Sequence, residues 1–252
     1  MQGVGVTLDL EGTTVDLESQ RHGAHLDAAA SFGLAIDRQF AVSSLPHFIG
    51  GPDEKVAEDI YALAHAELRM PRPEFVTEFL ARDTELFEKR LETADIRPRD
   101  GVSEVLSWVN ELRVPLALGS LTREDQGRRI LNSSGLSRFF GPRVVFREHV
   151  REPKPAPEVY LATAQLMDVP SSGQIVFDDS PRGIRAAYAA HSSPIGMPVI
   201  LEKSALGALE AERPLRIFRD WRDPELREYV RELLLKLQRG DKDAVRIQVG
   251  AE

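Results

Sequence analysis

Asp9, Asp178 and Asp179 are carboxylates at the ends of short apolar runs: Asp9 at the end of Val4–Leu10, the other two directly after Gln174–Phe177. Three carboxylates brought together would suit a hard divalent cation that takes oxygen ligands. Ser120 follows a third apolar run, Val114–Leu118, and Lys154 follows Arg143–Phe146 within Glu-Pro-Lys-Pro-Ala-Pro. A hydroxyl and a lysine suit a phosphate. A carboxylate beside a cation and a phosphate can attack phosphorus once the charge repulsion is neutralised. Each residue also has a plainer reading. A lone Asp after a strand is commonly a turn former or helix cap, and Asp178-Asp179 ahead of Pro181 is reasonable helix-start chemistry. Lys154 alone could be a surface lysine, and Ser120 and Thr122 could simply end a strand.

The elements that must position these groups follow from periodicity. The four apolar runs are predicted as buried strands, with further strands near Ile195 and Leu215–Phe218. Helices are predicted at Val102–Val109, Glu124–Ser133, Pro157–Met167, Pro181–Ala190 and Glu225–Leu237. Strand and helix alternate, the pattern of a parallel sheet covered on both faces, and ligands of such sheets sit beyond the carboxyl ends of the strands. Every candidate group above lies at such an end. Residues 18–93 instead read as wholly helical: Leu17–Phe32, then Asp53–Met70 with Val56, Ile60 and Leu63 on one face, then Phe75–Leu91, with Pro71 and Pro73 as breakers. The expected organisation is an α/β core of residues 1–17 and 94–252, a doubly wound, Rossmann-like parallel sheet, with an all-helical domain of residues 18–93 inserted. Residues 239–252 read as a polar tail in which Val245–Val249 could pair at a sheet edge.

Composition narrows the function classes. The formal net charge of -8 argues against a nucleic-acid partner, which usually demands a basic face. With no cysteine, a disulfide, a thiolate nucleophile and a cysteine-bound metal are excluded. No stretch approaches the ~18 apolar residues needed to span a bilayer, and the N-terminus carries no secretory pattern, so no membrane partner and a cytoplasmic location are expected. The six histidines are scattered without the spacing of a metal site, and His22 and His25 share one helical face.

Taken in order, Asp9-Leu10-Glu11-Gly12-Thr13, Ser120, Lys154-Pro155-Ala156-Pro157-Glu158 and Asp178-Asp179-Ser180-Pro181-Arg182-Gly183-Ile184 resemble the four motifs of the haloacid dehalogenase superfamily. The helical insertion resembles the small cap of its β-phosphoglucomutase-like group. The resemblance implies a magnesium-dependent phosphatase acting on a small phosphorylated metabolite. Asp9 would form an aspartyl-phosphate, and Glu11 would serve as general acid/base with its backbone carbonyl on the metal. Ser120 would hold phosphoryl oxygens, Lys154 would offset their charge, and Asp178 and Asp179 would bind Mg²⁺ with Asp9. The cap would exclude water and select substrate. Candidate substrate contacts are His47, Phe48, Gly50, Gly51, Lys55, Thr122, Arg123 and Arg182; Arg182 could instead form a salt bridge at a helix start.

The chain departs from the family pattern at Glu11, where most phosphatases of the group carry aspartate; the enolase-phosphatase branch also has glutamate there. Gly12-Thr13-Thr14-Val15-Asp16 is similar to phosphonoacetaldehyde hydrolases, which carry alanine at position 11 and a cap lysine; Lys55 is the nearest one here, inside a predicted surface helix. Mutases of the group place an arginine in the cap loop near Asp53, which would repel a second phosphate. Dehalogenases work without magnesium and carry tyrosine at position 11. A non-catalytic domain that binds a phosphorylated ligand is the alternative that Glu11 favours.

Overall fold

The core strands are mostly apolar because both of their faces are covered. β1 (Gly5–Leu8), β2 (Leu116–Gly119), β4 (Gln174–Asp178) and β5 (Ser193–Gly196) are buried at every position, the pattern of a parallel sheet packed on both sides. With the short β3 (Val144–Val145) and β6 (Arg216–Ile217) they form one six-stranded parallel sheet of order β3-β2-β1-β4-β5-β6. These observations come from a computed structural model, which describes residues 3–48, 52–199 and 203–240. The crossover helices are α5 (Val102–Glu111), α6 (Glu124–Ser133), α8 (Glu158–Leu166), α9 (Pro181–Ala189) and α10 (Lys203–Ala211). A one-turn α7 (Ser137–Phe140) and the last helix, α11 (Leu226–Gln238), complete this unit. The fold is a doubly wound α/β sheet. Its strand order reverses between β1 and β4, and that reversal opens the crevice in which such sheets bind ligands.

Two compact units are present: Met1–Asp16 with Ile96–Glu252, and Leu17–Asp95. The second is all-helical, built from α1 (Glu18–Ser31), α2 (Arg38–Ser44), α3 (Asp53–Ala64) and α4 (Arg72–Thr93). Its core is a cluster that includes Leu34, Phe48, Val56, Ile60, Phe75 and Phe79. Several elements depart from the sequence expectation. The helix expected over Asp53–Met70 stops at Ala64, and Leu63 is 47% exposed. The buried stripe runs through Val56, Ala57, Ile60 and Ala64, which leaves Leu63 beyond its edge. α2 was not anticipated, although Asp37 supplies its signal by accepting from the backbone N–H of Phe40 at 2.9 Å, an ordinary N-cap. α7 and α10 were likewise missed. The pairing considered for Val245–Val249 lies outside the described residues.

One buried polar group ties the layers together beneath the strand ends. Gln174, at the start of β4, accepts at Oε1 from the hydroxyls of Thr7 (2.6 Å) and Thr163 (2.8 Å). Its Nε2 donates to the Tyr160 carbonyl (3.0 Å) and to Ser192 Oγ (2.9 Å). All four of its hydrogen-bonding positions are used, and they connect β1, α8, β4 and the approach to β5. Gln174→Leu should lower unfolding stability by roughly 1–3 kcal/mol, because each abandoned buried partner loses its bond. Urea denaturation with an unchanged m-value would show it; an unaltered midpoint would refute the assignment.

Candidate active site

Strand register sets the first contacts. Leu8 lies beside Leu118 on one side and Phe177 on the other, so the residues that follow, Asp9 and Asp178, leave adjacent strand ends together. The Asp9 N–H donates to the Phe177 carbonyl at 2.9 Å. Beyond Asp9 the chain curls back on itself: the Thr14 and Val15 amides both donate to the Leu10 carbonyl, and Gly12 N–H donates to the Val15 carbonyl. Gly12 has φ +78°, and a Cβ there would run into the Asp179 carboxylate, so the turn admits only glycine.

Lys154 stands between two acids. Its Nζ lies 2.5 Å from Asp9 Oδ1 and 2.8 Å from Asp178 Oδ2, and all three side chains are buried. Asp178 accepts more widely still: the Ser180 N–H and hydroxyl both reach its Oδ1 at 2.8 Å, and the Tyr160 hydroxyl donates to its Oδ2. Four donors account for the roughly four lone-pair positions of a carboxylate. Asp179 takes the Thr13 hydroxyl at 3.0 Å. Ser180 also caps α9 by accepting from the Gly183 N–H at 3.0 Å, and a Cβ on Gly183 would collide with the Asp178 carboxylate.

The electrostatics follow from crowding acids out of water. Burial, with Asp178 and Glu11 nearby, pushes the Asp9 carboxyl up to about 7 in spite of Lys154. Burial, then Asp178 and Asp9, hold Asp179 well above the usual carboxylate range. Burial alone would depress Lys154; Asp178 and Asp9 outweigh it and hold the ammonium well above the ordinary lysine range. The anions thus exceed the one lysine set among them, and their oxygens are hard donors of the kind a small divalent cation takes.

Other expected residues fall as follows. Ser120 Oγ lies 2.9 Å from Thr122 Oγ1, which donates to Glu11 Oε1 at 2.6 Å. Arg182 donates through its guanidinium to the Lys154 carbonyl, with Nε at 2.9 Å. Arg123 pairs with Asp125 at 3.2 Å on the exposed start of α6. In the helical unit, Lys55 pairs with Glu58 at 2.7 Å and His47 with Asp59 at 3.0 Å. Phe48 is buried against the His22 ring. Gly50 and Gly51 lie outside the described residues.

Sequence reasoning missed several residues that hold this arrangement. Arg99 donates to the carbonyls of Gly12 (2.7 Å), Thr13 (3.2 Å), Met197 (2.9 Å) and Pro198 (2.9 Å). Trp221 Nε1 donates to the Thr13 carbonyl at 3.0 Å. Both bind backbone, which leaves no side-chain pattern to read. One histidine joins a cluster that the sequence spacing does not display. Among the described residues, the one set of three metal-compatible side chains with ligand atoms within 4.8 Å of one another is His25, Asp53 and Asp83, in the helical unit. Asp9, Asp178 and Asp179 stand further apart than that, with Lys154 between the first two. His25 is carried by α1 while Asp53 and Asp83 come from α3 and α4, so no local spacing announces the cluster. Asp53, expected to repel a phosphate, lies 3.4 Å from the Arg21 guanidinium.

The displaced titration of Asp9 has a consequence for stability. In the unfolded chain this group loses its proton near 3.8, in the fold only near 7. The folded state therefore binds more protons across that window, and its stability falls as pH rises through it. Asp9→Asn removes the effect. Thermal unfolding of metal-free protein should show the variant gaining on the wild type steadily from pH 4 to pH 7.5; a constant difference would contradict the shift.

Comparison with known proteins finds a matching family, sequence relatives and similar folds. Residues 5–191 match the family described as haloacid dehalogenase-like hydrolase. A fructose-1-phosphate phosphatase of Escherichia coli (strain K12) is 30% identical over 74% of this chain and 92% of its own length. Hexitol phosphatase A of the same organism is 28% identical over 75% of this chain and 81% of its own. The β-phosphoglucomutase of Clostridium difficile superposes with a TM-score of 0.67 at 18% identity, covering 94% of this chain and 97% of that one. Its likeness is one of fold. With the motifs at the strand ends and the family match across most of its length, the chain belongs to the haloacid dehalogenase-like hydrolases.

Proposed function

We propose that this hydrolase cleaves the phosphate monoester of a small phosphorylated metabolite, with Mg²⁺ as cofactor and Asp9 as nucleophile. The observation that carries the reading is the buried Asp9–Lys154–Asp178 group, in which a carboxylate at a strand end lies beside one ammonium and more acids than that ammonium offsets. Asp9, Asp178, Asp179 and the Glu11 carbonyl are the groups assigned to the cation. Asp9 and Asp179 are the natural direct ligands, since the positions on Asp178 are occupied by Lys154, Tyr160 and Ser180. When bound, Mg²⁺ supplies positive charge that draws Asp9 into its ionised form and offsets the phosphoryl oxygens.

The protein's own groups then act in two steps. Asp9 attacks phosphorus, the ester P–O bond breaks, and Glu11 gives a proton to the leaving oxygen. Glu11 next takes a proton from water, whose oxygen attacks the aspartyl-phosphate, and inorganic phosphate departs with Asp9 restored. Lys154 and Ser120 hold the transferring oxygens, as phosphoryl transfer requires. The helical unit is assigned the choice of substrate. The two Escherichia coli relatives bear the names of fructose-1-phosphate and hexitol phosphatases, which puts phosphorylated sugars and polyols first among candidates.

Phosphate release should be assayed on p-nitrophenyl phosphate and a panel of sugar, polyol, nucleotide and glycerol phosphates. Release should need Mg²⁺, stop with a chelator, and fall roughly 10³-fold or more in Asp9→Asn. Lys154→Met should cost about 10²-fold in kcat, the scale of losing one transition-state charge contact. Folded protein that binds Mg²⁺ and phosphorylated compounds yet releases nothing would overturn the reading in favour of a ligand-binding domain.

A further inference from the structure

Glutamate at position 11 places its carboxyl one methylene, about 1.5 Å, further from the backbone than aspartate would. It also adds a rotatable bond, so a proton-transferring head group there needs something to fix it. Thr122 supplies such a contact. Thr122, 9% exposed on the turn after β2, donates its hydroxyl to Glu11 Oε1 at 2.6 Å. The bond is short and assisted by the carboxylate charge. Thr122 is itself well anchored: its N–H donates to Ser120 Oγ at 3.2 Å, and its β-branched side chain has little χ1 freedom.

The direction of the hydroxyl chain can be worked out. A threonine hydroxyl has one proton, and Thr122 gives it to Glu11. In the 2.9 Å contact between Ser120 Oγ and Thr122 Oγ1, Ser120 must therefore be the donor. The chain runs Ser120 to Thr122 to Glu11. Ser120 can turn its proton toward an incoming phosphoryl oxygen without breaking the Thr122–Glu11 bond, because Thr122 only accepts from it.

We propose that Thr122 is the positioning residue that fits a glutamate to the place two residues beyond Asp9, holding its carboxyl head where proton transfer occurs. The proposal rests on the reading of Glu11 as the acid/base of Asp9 chemistry. It makes positions 11 and 122 a matched pair. An aspartate at 11, shorter by about 1.5 Å, would leave a gap of about 4 Å to the Thr122 hydroxyl, too long for a hydrogen bond. Thr122 should thus matter with glutamate and cease to matter with aspartate.

The test is a double-mutant cycle on p-nitrophenyl phosphate with Mg²⁺, using Thr122→Val, Thr122→Ser, Glu11→Asp and Glu11→Asp with Thr122→Val. Valine is nearly isosteric with threonine, and thermal unfolding would verify that each variant is folded. Thr122→Val should lower kcat about 10- to 100-fold, the cost of misplacing a reacting group by about 1 Å. Its KM should stay within about twofold, the mark of an interaction made in the chemical step alone. Thr122→Ser, which restores the hydroxyl, should recover most of the loss. In the Glu11→Asp background, Thr122→Val should change kcat by less than about twofold. A Thr122→Val enzyme within about twofold of wild type in kcat, or an equal loss in both backgrounds, would overturn the proposal. A wild type that turns over nothing defeats the phosphatase reading, and crystal structures then decide the positioning. A Glu11 carboxyl bonded to Thr122 in the wild type and displaced in Thr122→Val supports the proposal; an unmoved carboxyl overturns it.

Discussion

A single ammonium shared by two buried carboxylates is the constraint around which the α/β unit is arranged. Lys154 cannot give up its proton between Asp9 and Asp178, and neither acid can be left without it once water is excluded. Much of the surrounding structure keeps that ammonium in place. Arg182 grips the Lys154 carbonyl from the first turn of α9. Tyr160 bonds Asp178 through its hydroxyl and lies under the Lys154 charge, whose Nζ is 4.9 Å from the ring centroid. Gln174 then holds the Tyr160 carbonyl, together with Thr7, two residues before Asp9. Removing the lysine would strand two acids; removing the outer residues would loosen it.

The sheet order explains why these acids meet. Neighbouring parallel strands are in register, so Asp9, just past β1, and Asp178, the last residue of β4, emerge side by side, and the reversal of strand order there keeps the space beyond them free of a crossover. Ser120 arrives from β2 on the other flank of β1. The Gly12 and Thr13 carbonyls of the Asp9 loop are satisfied by Arg99 and Trp221. A half-buried arginine set among four carbonyls fixes the loop without adding an acid to a site already rich in them.

Much of this was legible in the sequence, for a physical reason. Strands buried on both faces must be apolar runs, and a polar residue directly after such a run is conspicuous, as with Asp9, Ser120 and Asp178. Helix starts were legible where Pro or an acid opened the first turn, as at Asp53 and Pro181. Three kinds of feature were not. The shortest helices, α2 and α7, left too few turns to display a stripe. Side chains that bind backbone, such as Arg99, have partners that every residue possesses. The hydroxyl chain from Ser120 through Thr122 to Glu11 depends on a turn that folds residue 122 back toward residue 11, a distance of 111 positions that no local pattern records.

The helical unit offers a comparison that sharpens what the acids at the sheet edge imply. His25, Asp53 and Asp83 are as close together as metal ligands would be, yet each of them already has a partner. His25 Nδ1 donates to Asp83 Oδ1 at 2.8 Å, and the Arg21 guanidinium lies 3.4 Å from Asp53 and 4.0 Å from Asp83, over the Phe87 ring. Two acids meet one guanidinium and one imidazole. At the sheet edge the acids outnumber the lysine set among them, and the excess appears in the raised titration of Asp9 and Asp179. Proximity of acids alone does not distinguish the two places; the balance of charge does. It is the sheet edge, where burial and repulsion leave negative charge uncompensated, that a divalent cation would stabilise most.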